Sequence, residues 1–222
     1  MAEHEKSAAR YVGQHVVRKE DPRLLTGQGR YVDDHTLPGM LQAAFVRSPH
    51  AKARIKGIDI AAARALPGVH AVYTGADMAK LLQPARSLHW PPNLPYPSNL
   101  PLAHHDVRFA GDPVVLIVAE DRYIAEDAAE LVTVDYEPED PLVDYLQAHA
   151  GPRVHPDLES NLLMESASPA DPDLERIFAS AAHVVEKTIT QQRYINSPME
   201  TRGVLASHSA ADNLTTIWSA SQ

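Results

Sequence analysis

The stretch that decides the fold is residues 107–137, with the sequence VRFAGDPVVLIVAEDRYIAEDAAELVTVDYE. Within it, Pro113–Ala119 is an apolar, β-branched run of strand length. Asp121 follows as a candidate N-cap, and apolar residues then recur at helical spacing up to Val132. The run 131–136 alternates like a half-buried strand. The segment therefore predicts one strand–helix–strand unit.

Charge and cysteine content exclude several classes of function. The 222 residues carry a formal net charge of -9 and show no dense cluster of Lys and Arg, so nucleic acid is not an expected partner. Cysteine is absent, which excludes disulfides, thiolate metal ligands, a cysteine nucleophile and iron–sulfur ligation by this chain. Any redox centre must be bound by other means or lie on another chain.

The N-terminal sequence MAEHEKSAARYVG is charged and has no apolar core of the kind that signal peptides carry. No apolar run reaches the length of a membrane span. We therefore expect a soluble cytoplasmic protein.

Shorter elements are predicted on both sides of the central unit. Upstream, residues 41–46 and 51–58 are expected to be paired strands, followed by a helix at 60–66, a strand at 69–74 and a helical turn at 78–82. Downstream, helices are expected at 143–148 and 173–179, and a long strand at 183–196. Residues 204–208 and 214–219 are predicted to form a hairpin that leaves an open edge at the end of the chain.

Familiar catalytic motifs are absent from the sequence. There is no G-x-S-x-G, no P-loop and no H-E-x-x-H. Gly27-Gln28-Gly29 is only half of a dinucleotide fingerprint and lacks a preceding strand. The acidic groups Asp33-Asp34 and Glu126-Asp127-Glu130 are interpreted as solvated side chains, so spacing alone does not indicate a reaction.

The segment 83–105 holds six prolines and the histidines His89, His104 and His105. These histidines lack the spacing of a helical metal-binding pair, so the favoured interpretation is a proline-stiffened loop that packs through Trp90 and Tyr96. A small histidine-dependent metal protein is the weaker alternative.

Three sets of ordered motifs carry a family resemblance. The first set is RKEDPRLLTGQGRYVDD at 18–34, LPGML at 37–41 and RSPHA at 47–51. The second is FAGDPV at 109–114 with AEDAAELVTVDYE at 125–137, and the third is QRYINSPMETR at 192–202 with WSASQ at 218–222. Together they resemble the molybdenum-binding large subunit of the xanthine oxidase, aldehyde oxidase and aerobic carbon monoxide dehydrogenase family.

The resemblance implies an α+β fold, with an α/β-hammerhead domain followed by the first strands of a molybdopterin-binding domain. It implies oxidative hydroxylation or carbon monoxide oxidation of a small-molecule substrate by the complete enzyme. In the complete enzyme, the remainder of the large subunit would complete the binding site for the molybdenum cofactor. Partner subunits would carry the iron–sulfur clusters and FAD. Gln222 matches the family's glutamine that donates a hydrogen bond to an oxo ligand of the molybdenum, a role suited to an amide N–H.

Departures from the family pattern also have consequences. Thr201 stands where the family has proline, and Ala220 replaces a small hydroxyl residue. In the family, the glycine-rich pterin loop and the general-base glutamate lie beyond the position of Gln222. We therefore expect no catalytic residue and no metal ligand in this chain, and no turnover by the chain alone. The alternative is a non-catalytic hammerhead module that docks on a partner, or a truncated product.

The predicted organisation has four parts. Residues 1–14 form a polar leader, 15–150 the hammerhead domain, 151–172 a linker rich in proline and acidic residues, and 173–222 the incomplete start of the molybdopterin-binding domain.

Overall fold

The computed structural model describes residues 15–85, 91, 94–169, 171–192 and 194–221. The helices are α1 (Asp21–Leu25), α2 (Ala61–Ala65), α3 (Gly75–Leu81), α4 (Arg122–Glu130) and α5 (Leu174–Ser180), with a 3₁₀ turn at Val32–Asp34. The strands are β1 (Gln42–Arg47), β2 (Ala53–Asp59), β3 (Val69–Thr74), β4 (Asp106–Val107), β5 (Pro113–Ala119), β6 (Thr133–Pro138), β7 (Val204–Ser209) and β8 (Leu214–Ser219).

The chain divides into two compact units, which are described separately. The central unit comprises residues 39–186. The terminal unit combines the described parts of 1–38 with those of 187–222. The predicted domain boundaries at 14, 150 and 172 stay predictions.

The central unit holds two three-stranded antiparallel sheets. The first sheet has the order β1-β5-β3, and the second has the order β4-β2-β6. In β5, Val114, Val115, Ile117 and Ala119 are buried, because this strand lies between two others and faces packed side chains on both sides. Its continuous apolar run is therefore the sequence signature of a central strand.

One core joins the two sheets. Its buried members are Ala53, Ala63, Val72, Val107, Val114, Val115, Ile117 and Ala128. Half-buried side chains of the second sheet, including Ile55 and Tyr136, pack against this cluster. The sheets are thus two layers of a single packed domain.

Helix α4 covers the first sheet and connects the sheets in sequence. Asp121 is its N-cap, and the Asp121 carboxylate accepts a hydrogen bond from the Ile124 backbone N–H at 2.8 Å. Ala125 and Ala128 are the buried residues of the helix, and their small side chains allow close packing. The predicted strand–helix–strand unit is confirmed, although its two strands lie in different sheets.

Three local predictions are wrong. Residues 41–46 do form a strand, but β1 pairs with β5 rather than with the strand that follows it. Residues 143–148 form turns instead of a helix. The described residues of 183–196 contain no strand, because no second strand lies alongside to supply the ladder, and Val185 and Ile195 are almost fully exposed.

The remaining predicted elements are confirmed to within a few residues. They are the helices near 60–66, 78–82 and 173–179, the strands near 51–58 and 69–74, and the hairpin at the end of the chain. The combination of helices with small antiparallel sheets confirms the α+β class.

Candidate functional site

The C-terminal hairpin leads directly to the predicted cofactor residue. Strands β7 and β8 pair in register from Val204 opposite Ser219 to Ser209 opposite Leu214. Asn213 completes the turn with φ of 48°, a left-handed conformation that asparagine tolerates better than most residues. The predicted hairpin is therefore closed by a residue, Asn213, whose type suits the backbone conformation of the turn.

The hydrogen-bond ladder continues past the end of β8. The Ala220 backbone N–H donates to the Gly203 carbonyl at 3.0 Å, and the Ser219 hydroxyl donates to that of Ser221 at 3.1 Å. The chain is thereby positioned up to the residue before Gln222. Gln222 itself lies outside the described residues, so its predicted role stays a prediction.

The N-terminal segment contributes to the same terminal unit. The Val32 backbone N–H donates to Oε1 of Glu200 at 3.0 Å across 168 positions of sequence. The rings of His35 and Trp218 lie 6.0 Å apart between centroids. A Cβ on Gly203 would lie 3.4 Å from the Val32 side chain, which is an ordinary van der Waals contact, so these two segments pack against each other.

Three of the motif stretches, 18–34, 192–202 and 218–222, thus meet in one unit. Reasoning from the sequence did not identify the contact between Val32 and Glu200. The available signal was that both residues lie inside motifs of the family resemblance.

The described groups at the strand end are backbone amides and serine hydroxyls. Among the described residues of the whole chain, no group of three or more His, Cys, Asp or Glu side chains is placed to hold a metal ion. Backbone N–H groups and hydroxyls are groups through which a protein can contact an organic cofactor by hydrogen bonds. The local chemistry is therefore compatible with the predicted molybdenum cofactor.

Two further motifs meet in the central unit because β1 and β5 are antiparallel neighbours. The Ser48 backbone N–H donates to the Asp112 carbonyl at 2.9 Å, and the Gly111 N–H donates to the Ser48 carbonyl at 2.7 Å. The Arg47 guanidinium donates to the Gly111 carbonyl at 3.0 Å. Gly111 has φ of 91°, a conformation that favours glycine.

The Ser48 side chain is buried and engaged locally. Its hydroxyl donates to the His50 carbonyl at 3.1 Å and accepts from the His50 N–H at 3.0 Å. Burial raises the pKa of Asp112 and also the pKa of the Tyr136 phenol. These contacts identify a structural junction, because the hydroxyl is held by the turn and does not face an open cleft.

The predicted histidine group is only partly described. His104 and His105 stack at 3.8 Å between ring centroids. Burial, with the neighbouring His105, lowers the pKa of His104. His89 and Trp90 lie outside the described residues, so neither the loop interpretation nor the metal alternative is decided.

The acidic groups are exposed, as interpreted from the sequence. Glu126, Asp127 and Glu130 lie on the outer face of α4. The Asp34 carboxylate accepts a hydrogen bond from the Tyr31 N–H at 2.8 Å and caps the 3₁₀ turn. These carboxylates do not form a paired acid–base site.

Comparison with known proteins matches both predicted regions. Residues 26–140 match the family described as "Aldehyde oxidase and xanthine dehydrogenase, a/b hammerhead domain". Residues 154–222 match the molybdopterin cofactor-binding domain.

Curated relatives and solved structures agree with these matches. The nicotine 6-hydroxylase large subunit of Paenarthrobacter nicotinovorans is 37% identical over 95% of this chain and 26% of its own length. The carbon monoxide dehydrogenase large chain of Afipia carboxidovorans is 41% identical over 90% of this chain and 26% of its own. Quinoline 2-oxidoreductase from Pseudomonas putida 86 superposes with a TM-score of 0.84 at 40% identity, covering 95% of this chain and 27% of that one.

The chain belongs to the aldehyde oxidase and xanthine dehydrogenase family and corresponds to an N-terminal part of its molybdenum-binding large subunits. It spans about a quarter of the length of the relatives that it matches. Within the described parts of the chain, no helix is both long and apolar enough to cross a membrane.

Proposed function

We propose that this chain supplies the hammerhead domain and the first strands of the molybdopterin-binding domain to a molybdenum hydroxylase. The observation that carries the proposal is the match of both regions, in order, to relatives over 95% of the chain. The activity is oxidative hydroxylation of an aldehyde or heterocycle, or oxidation of carbon monoxide. The relatives named above include enzymes for nicotine, quinoline and carbon monoxide, which supports the class without selecting a substrate.

In this proposal, Gln222 contacts the cofactor. The bound molybdenum cofactor supplies two-electron oxidation with an oxygen atom from water. The Gln222 amide donates a hydrogen bond to the cofactor, and the ladder bond from Ala220 to Gly203 fixes the direction of the chain just before that residue. No residue of this chain acts as the catalytic acid or base.

The partners are part of the same proposal. The 222 residues contain no cysteine and cannot ligate iron–sulfur clusters through thiolates, so the proposal places the electron acceptors outside this chain. We assign iron–sulfur clusters and FAD to partner subunits and the remaining cofactor contacts to the rest of the large subunit. The cytoplasmic location also remains a prediction.

The decisive experiment is elemental mass spectrometry for molybdenum on the chain isolated from its native host with everything that associates. The masses of all co-purifying polypeptides are recorded in the same preparation. We expect stoichiometric molybdenum together with a polypeptide region that completes the cofactor site. A chain that carries the whole large-subunit region yet holds no molybdenum would contradict the proposal.

The Gln222 contact has its own test on that complex. Gln222→Glu keeps the size of the side chain and removes the amide donor, so we expect molybdenum to be retained and its electron paramagnetic resonance spectrum to change. Gln191→Glu, at an exposed position of the terminal unit, is the matched control and leaves the spectrum unchanged. Identical spectra for both variants would show that Gln222 does not contact the cofactor.

One observation favours the second candidate, a hammerhead module that docks without catalysis. Sheet β7-β8 has two strands in the described structure, and Val204, Leu214 and Ile217 are each more than half exposed. An open apolar edge can accept a strand from another chain. A preparation that contains a protein partner but no molybdenum would favour this candidate.

A further inference from the structure

A cleft in the central unit lies beside the second sheet. Its volume is about 390 Å³, and its walls come from β2, β4, the residue after β6 and the segment 153–156. A cavity of this size suits a small ligand rather than an extended polymer.

The charge of the cleft is opposite to that of the chain. Four permanent cations line it, against two carboxylates, which leaves a net charge of +2 in a chain whose formal charge is -9. These six charged residues are Lys52, Arg54, Arg108, Arg153, Asp106 and Glu139. A concave surface with this balance attracts small anions.

One carboxylate is shared by two of the cations. The Lys52 ammonium lies 3.2 Å from Oε2 of Glu139, and the Arg54 guanidinium lies 3.3 Å from Oε1 of the same side chain. Arg54 also lies 3.6 Å from Oε2 of Glu137, so Lys52 and Arg54 both have carboxylate partners, and the positive charge available for another anion rests mainly on Arg108 and Arg153.

Arg108 has an unused donor in this environment. Its Nε is buried and has no hydrogen-bond partner among the described residues. Its backbone N–H, in contrast, donates to the Asp112 carboxylate at 3.0 Å. That N–H is too buried to reach a ligand in the cleft, so Arg108 would act on an anion through its charge and its remaining guanidinium N–H groups.

Arg153 lines the same cleft and is held in a fixed orientation. Its NH1 donates to the Leu158 carbonyl at 2.9 Å, which restricts the side chain while leaving other N–H groups of the fork available. Two arginine forks in one cleft are well suited to phosphate oxygens.

We propose that this cleft binds a dianionic phosphate group, free or carried on a small ester, with Arg108 and Arg153 as donors and Lys52 and Arg54 as supporting charges. The site goes beyond the proposed enzymatic function and does not depend on it, because none of its residues belongs to the terminal unit.

The test is calorimetric titration of the full chain with inorganic phosphate, at an ionic strength held constant with chloride. We expect one saturable site with a dissociation constant on the order of 1 mM, as suits so small a ligand. A parallel titration with glycerol 3-phosphate identifies the source, since the natural form binds more tightly. Absence of saturation with both anions would overturn the proposal.

Two variants are expected to act in opposite directions. Arg108→Gln removes a charged donor, so phosphate affinity should fall about tenfold. Glu139→Gln removes the competing carboxylate, so affinity should rise about threefold. A purely structural effect would not strengthen binding in this way. Lys80→Gln, on an exposed turn of α3 outside the cleft, is the control and should leave affinity unchanged.

Circular dichroism establishes that each variant keeps the parent fold. Glu139→Gln keeps the size of the side chain at a half-buried position, so this variant decides the outcome even if Arg108→Gln does not fold. Weaker binding by Glu139→Gln, or equal losses in Arg108→Gln and Lys80→Gln, would overturn the site.

Discussion

The central and terminal units are built from similar elements but differ in what they bury. Every buried hydrophobic residue among the described positions lies between Ala53 and Leu158, inside the central unit. The described terminal unit contains none, although it includes a helix and a well-paired hairpin. Regular hydrogen bonding alone therefore does not make a stable domain, and the central unit is expected to supply the stability of this chain.

The largest expected effect comes from two isoleucines that occupy comparable strands. Ile117 in β5 is 0% exposed, whereas Ile217 in β8 is 61% exposed. We expect Ile117→Ala to lower the free energy of unfolding by about 4 kcal/mol, because it removes buried methyl groups and leaves a cavity. Ile217→Ala should cost less than about 1 kcal/mol. Urea denaturation measures both, and equal losses would show that the terminal unit also has a packed core.

A glycine in the central unit provides the next test. A Cβ on Gly75 would lie 2.2 Å from the Ala103 carbonyl oxygen, which is backbone and cannot move aside easily. We expect Gly75→Ala to cost about 3 kcal/mol through overpacking. Gly57→Ala is the matched control, since nothing lies within 4 Å of its Cβ position. Similar thermal unfolding of the two variants would argue against tight packing at the start of α3.

A smaller effect is expected at the N-terminus of α4. Asp121→Ala removes the side-chain acceptor for the Ile124 N–H and should cost about 1 kcal/mol. Asp127→Ala, on the exposed face of the same helix, should not lower stability, because alanine favours helix. If chemical denaturation gave the same free energy of unfolding for both variants, the cap would not contribute to the stability of the central unit.

The smallest effect is a pH dependence at α3. Backbone and side-chain hydrogen bonds from Thr74 lower the pKa of Asp77 below its ordinary value of 3.8. Its stabilisation is therefore present above pH 3.8 and is lost as pH falls through the lowered pKa. Asp77→Asn should cost about 0.5 kcal/mol near neutral pH and nothing at the acid end.

Asp112 should show the opposite dependence when the free energy of unfolding is measured as a function of pH. Burial raises the pKa of Asp112 above its ordinary value of 3.8. The carboxyl therefore contributes fully to folding stability below pH 3.8, and this contribution is lost as pH rises through the raised pKa. Asp112→Asn should gain stability relative to the parent chain as pH rises. Parallel pH profiles for the two variants would contradict these assignments.

Local sequence patterns predicted the elements well where the chain provides its own signals. The apolar run of β5, the Asp121 cap and the hairpin turn at Asn213 each appear in the structure. Pairing was harder to predict, because adjacent strands in sequence need not be neighbours in a sheet. The β1–β5 ladder joins residues about 70 positions apart and carries no local signature.

The candidate site was predicted by motif resemblance rather than by chemistry visible in single residues. Nothing local to Val32 indicates a hydrogen bond to Glu200, since it depends on how the ends of the chain come together. The 183–196 prediction failed for a related reason. Alternation of apolar residues indicates a strand only when another strand is available to complete it.

Backbone hydrogen bonds hold both ends of the proline-rich segment 83–105 in place. The Ala85 N–H donates to the Asn99 carbonyl at 2.9 Å, and the Ala103 N–H donates to the Pro113 carbonyl at 2.8 Å. The two ends of the intervening sequence are therefore tied to each other and to the first sheet. Because doubling the length of a closed loop costs only about 0.6 kcal/mol, residues added between these two tied ends should cost little in loop-closure entropy.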